Sequence, residues 1–108
     1  MDDLKNFDLE VDEEIPKCEY RLLVQGIGPE GEELDGVLLQ WAGEDPEETI
    51  AAARSRIPTL QAMLDFRGSN WYGKPLAALH VWVETVAKVD GEEYYAGAIF
   101  REVLHRKS

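Results

Sequence analysis

Cysteine is nearly absent: Cys18 stands alone among 108 residues. An internal disulfide is therefore excluded, and the fold needs no oxidising compartment. Cys18, beside Glu19, reads as a small half-buried residue at the start of a strand. Long apolar runs are missing too. No stretch approaches the ~20 residues of a membrane helix, and no basic-then-apolar leader opens the chain, so a soluble, cytoplasmic protein without a membrane partner is expected. Histidine occurs twice, at His80 and His105, and no His/Cys pair has ligand spacing, so neither a metal nor another cofactor is expected. Neither Gly-x-Gly-x-x-Gly nor Gly-x-x-x-x-Gly-Lys-Ser/Thr is present; Gly26-Ile27-Gly28 is a fragment that Pro29 diverts into a turn.

Cations are scarce in the first half. Residues 1–48 hold sixteen Asp or Glu against three Lys or Arg, and residues 49–108 hold six against eight, within a net charge of −11. This excludes a phosphate-backbone binder, which must replace counterions with lysines and arginines, so no direct nucleic-acid contact is expected. It suits a basic protein partner, whose opposite potential speeds encounter, and it equally suits solubility or adaptation to salt.

A hydrophobic share of 44% with three Trp, four Tyr and three Phe implies a folded core. The length implies one domain, placed at 17–108. Residues 1–16 form an acidic segment set off by Pro16. Its alternation Phe7-Asp-Leu-Glu-Val-Asp12 fits either an edge strand or a flexible arm.

The framework is the stretch Leu76–Leu104, two β-rich runs joined by Asp90-Gly91, the combination a type I′ hairpin turn requires. A two-residue turn pairs Val89 with Glu92 and Lys88 with Glu93. Carried along the strands, it pairs Val83 with Ala98, Trp82 with Ile99, Val81 with Phe100 and His80 with Arg101. Leu79, Val81, Val83, Ala98 and Phe100 then share the core face. His80, Trp82, Glu84, Tyr95 and Arg101 share the other, with Trp82 over Gly97.

Upstream, Lys17–Ile27 alternates as a strand and Gly28-Pro29-Glu30-Gly31 carries turn chemistry. Val37–Ala42 is a second strand, reached through an acidic loop containing Glu32, Glu33 and Asp35. Asp45 suits a helix N-cap, Pro46 the first helical position, and Glu48 a capping box. Ile50, Ala53, Ile57, Leu60 and Leu64 make one stripe. Pro58 falls inside it, so the helix is expected to kink or break into about 46–56 and 58–66, with Gly68 closing the helical region. Gly68–Pro75 is then an irregular loop whose Trp71 and Tyr72 either anchor a partner or plug the core edge. The basic end His105–Ser108 is expected to fray. The elements add up to an α+β domain of ββαββ order, with four or five antiparallel strands and the helix on one face.

No nucleophile-and-base arrangement is present. The nearest approach to a catalytic group is His80 with Glu84 and Arg101. Four residues along a strand span ~13 Å, too far to grip one metal ion or relay a proton directly. The chain therefore leans away from an enzyme and towards a small acidic protein-binding module. Such a module could inhibit a nucleic-acid-binding protein by occupying its site; phage anti-defence, immunity and DNA-mimic proteins are small acidic domains of this general type, a likeness of size and charge alone. The residues marked for partner contact are Asp12, Glu13, Glu14, Glu30, Glu32, Glu33, Asp35, Glu44, Trp71 and Tyr72. Two other classes stay open: an assembly subunit forming a homodimer or larger homo-oligomer through a sheet edge or the Trp82 face, and a ligand carrier or enzyme with a helix–sheet pocket.

Overall fold

Alternating apolar residues place β1 at Lys17–Ile27, on the expected bounds. The computed structural model describes residues 17–107. The acidic segment 1–16, with the partner candidates Asp12, Glu13 and Glu14, lies outside them. A tight turn follows β1, closed by the Gly31 N–H donating to the Gly28 carbonyl at 3.0 Å. The second strand, β2, spans Glu33–Gly43, four residues longer at its start than Val37. Leu34 explains the extension: it is buried, and ladder pairing begins where Ile27 meets Glu33.

The helix α1 runs Pro46–Asp65 as one element, with Asp45 as N-cap accepting from the Glu47 and Glu48 N–H groups at 2.9 and 3.4 Å. Pro58 sits inside without breaking it, so the expected alternative of two helices over about 46–56 and 58–66 is not found. An interior proline costs ~3 kcal/mol. Beyond it, Leu60 and Leu64 are both buried. At roughly 1.5–3 kcal/mol for each buried leucine side chain, packing offsets the proline. Helix geometry ends at Asp65, three residues before Gly68.

The 68–75 segment is more regular than expected. Asn70–Trp71 (β3) and Lys74–Pro75 (β4) form a small hairpin around Tyr72 and Gly73, both at positive φ, and the Asn70 carboxamide oxygen accepts the Gly73 N–H at 3.0 Å. The final hairpin joins β5 (Ala78–Val89) to β6 (Glu92–His105) through Asp90-Gly91.

The main sheet is antiparallel in the order β2-β1-β5-β6, and α1 covers one face; β3 and β4 make a second, two-stranded sheet. The expected pairing holds next to the turn, where Val89 faces Glu92 and Lys88 faces Glu93. It fails further along. Register shifts at Thr85/Val86 and Val83/Glu84 make Val83 face Phe100, Trp82 face Arg101 and His80 face Val103. Each one-residue bulge reverses the alternation, and two restore it. Phe100 and Leu104 therefore still point to the core, while Ala98, between the bulges and opposite Glu84, is exposed. Trp82 does not cover Gly97, whose pro-side-chain position has no neighbour within 4 Å.

The basic end does not fray as far as Lys107. Asp65 accepts the Lys107 N–H at 2.7 Å, and Gln61 donates to the His105 carbonyl at 2.9 Å. The Arg106 guanidinium donates to Ser69 Oγ and to the Leu76 carbonyl. This clasp ties β6 to the end of α1. No helix among the described residues is long and apolar enough to cross a membrane.

Candidate functional site

Two of the sequence candidates meet at one end of the molecule. The β1–β2 hairpin carries Glu30, Glu32, Glu33 and Asp35, and the β3–β4 hairpin is fastened directly to it. The Trp71 indole N–H donates to the Asp35 and Gly36 carbonyls at 2.9 and 3.1 Å. Its ring is buried over Gly26, where any Cβ would lie 2.6 Å from the indole. Trp71 is thus a plug of the core edge. Tyr72 is the opposite case. Its ring rests on Gly36, edge-on to Trp71, and the residue stays 68% exposed. Glu44 is remote from this cluster, preceding the N-cap of α1 at the far end of β2.

Between this hairpin, the C-terminal half of α1 and β2 lies a groove of about 780 Å³. Val24, Leu60, Leu64 and Leu79 form its floor, while Leu38, Met63, Phe66 and Tyr72 reach its rim. Met63 and Phe66 are 60% and 70% exposed. They fall off the helix stripe Ile50–Ala53–Ile57–Leu60–Leu64, and that is the signal that could have marked them: apolar side chains on the wrong face of a helix end. Its polar lining is Gln40, Thr59, Ser69 and Asn70, and Tyr72 is its one titratable residue among those described. The groove therefore offers shape and apolar contact, with no acid–base pair aimed into it.

The mixed face of β5 lies on the other side of the sheet. His80 stacks on Trp82 with ring centroids 4.5 Å apart, and the Trp82 N–H reaches Glu84 at 3.3 Å. Burial, with some repulsion from Arg101, lowers the His80 pKa from 6.5, and Glu33 opposes this weakly. His80 is thereby kept neutral near pH 7. At the lower end Arg21 bridges Glu19 and Glu93, both at 2.8 Å; it holds the Glu93 carboxyl below its ordinary range. These contacts are structural, and no group of three or more His, Cys, Asp or Glu among the described residues is placed to hold a metal. Cys18 is half-buried with a free thiol, as its position implied.

No protein-family model matches the chain, and comparison with curated proteins and with solved structures finds no match either.

Proposed function

We propose that the chain is a small acidic protein-binding module that docks on a basic partner, with the groove beside Tyr72 as its contact site. The observation that carries this is the fastening of Trp71 to the Asp35–Gly36 carbonyls, which sets an open apolar groove next to the acidic β1–β2 loop. The fitting partner presents an apolar anchor, a helix or loop, flanked by lysine or arginine. Carboxylates around the groove steer the encounter, and the apolar rim supplies the contact energy. Inhibition follows where the bound surface is the partner's own nucleic-acid site.

The test is capture of binding proteins from the native host by the immobilised full chain at low salt, followed by elution along a salt gradient. A basic protein released as salt rises, and not retained by Tyr72→Ala or Met63→Glu, is the expected result. Retention indifferent both to salt and to these substitutions overturns the reading.

A small apolar ligand is the second reading. A groove of about 780 Å³ lies within the roughly 300–1,000 Å³ of ligand sites. Quenching of Trp71 fluorescence by an apolar probe, lost in Leu60→Phe, would favour it.

A further inference from the structure

The sheet face opposite α1 is uncovered by any described element. It runs in cross-strand rows. One row is Leu39, Leu23, Trp82 and Arg101; the next is Val37, Gln25, His80 and Val103. Leu39, Val37 and Val103 are each more than 40% exposed, so an apolar band crosses all four strands. We infer that this face is the interface of a homodimer, two sheets packed face to face with the helices outside. The inference is independent of the groove, which opens on the opposite side.

Charge selects a second copy as the occupant. The chain is strongly anionic, at −11, and like molecules repel over most of its surface. The open face is the exception, carrying Glu19, Glu33, Glu84 and Glu93 against Arg21, Lys88 and Arg101. Arg21 is already satisfied by Glu19 and Glu93 of its own chain. Neutral His80, stacked on Trp82, adds no charge to the band. Two copies can therefore approach here without opposing fields, whereas a strongly basic partner finds little to attract it.

Size and symmetry agree. Four strands spaced ~4.8 Å apart and about 11 residues long give a face of roughly 700 Å² per protomer. A standard interface takes roughly 800 Å² from each partner. A two-fold axis parallel to the strands lays β1 of one copy over β5 of the other and β2 over β6. Leu23 then meets Trp82, and Val37 meets Val103, each contact made twice as an isologous interface requires. Aligned sheet packing of this kind, at about 30°, is the ordinary geometry of two stacked sheets.

Sedimentation velocity on the full chain, at moderate salt over a wide concentration range, tests this. Twice the chain mass is expected, with dissociation on dilution. Val37→Glu and Val103→Glu, both at exposed positions, should each weaken the dimer by about tenfold or more while leaving the circular dichroism and melting of the monomer unchanged. Met63→Glu, in the groove, should leave dimerisation intact. A concentration-independent monomer overturns the inference, whether the face stays bare or residues 1–16 of the same chain cover it. A dimer broken by Met63→Glu and not by Val37→Glu overturns it as well.

Discussion

Gly26 and Trp71 depend on each other. β1 passes beneath the indole so closely that a Cβ at Gly26 would come within 2.6–2.9 Å of Trp71 and Leu76. Gly26→Ala is therefore expected to destabilise the fold by about 1–3 kcal/mol through overpacking, read as a fall in the urea midpoint. Trp71→Phe keeps most of the packing but leaves the Asp35 and Gly36 carbonyls without the indole N–H; a loss of about 1 kcal/mol is expected on the same measurement. Neither dependence is visible along the chain, because Gly26 and Trp71 are 45 positions apart and only the fold brings them together. His80 gives a pH dependence whose sign follows from its lowered pKa. Below its ordinary value of 6.5 the unfolded chain takes up a proton that the folded chain resists. Stability is therefore full above pH 6.5 and declines as the pH falls through that value. His80→Gln should flatten this part of the profile, measured as urea midpoints on either side of it.

Among the elements, α1 shows what its own residues dictate and what its surroundings impose. The Asp45-Pro46 start and the buried stripe were legible from local rules, since capping and periodicity act within a few residues. Continuity through Pro58 was not, because it rests on Leu60 and Leu64 finding the sheet. Pro58→Ala restores a backbone donor at an exposed position and should stabilise the protein by about 1–3 kcal/mol, seen as a raised melting temperature with unchanged far-ultraviolet dichroism. The β5–β6 hairpin divides in the same way. Its turn was legible because Asp-Gly has few alternatives. Its far register was not, because the two bulges fall in Tyr95–Phe100, where Ala96, Gly97 and Ala98 carry no side chain large enough to report a face.

Over the whole molecule, the two faces of the main sheet differ in what covers them. One face is closed by α1 and bordered by the Tyr72 groove; the other carries the band of Leu39, Leu23, Trp82 and Val103. The C-terminal clasp holds the closed side together. Arg106 reaches Ser69 Oγ at 2.7 Å and the Leu76 carbonyl, so it joins the end of β6 to the segment between α1 and β5. Arg106→Ala should lower stability by about 1–3 kcal/mol, since it leaves that carbonyl short of a charged donor; protection of the Leu76–Ala78 amides from hydrogen exchange would fall with it.

The amino-acid order located the four long strands, the helix start, the Asp90-Gly91 turn and the α+β class, because each rests on alternation, capping or turn chemistry within a few neighbours; it did not show the short strands at 70–71 and 74–75. It also set the charge asymmetry, which suits a basic partner and solubility alike. Packing alone decided which aromatic was structural and which was free. Trp71 and Tyr72 are adjacent and chemically similar, yet one fills the gap left by Gly26 while the other rests on Gly36 in solvent. It also decided that an open groove and an open sheet face lie on opposite sides, because a surface is assembled from residues far apart in the chain.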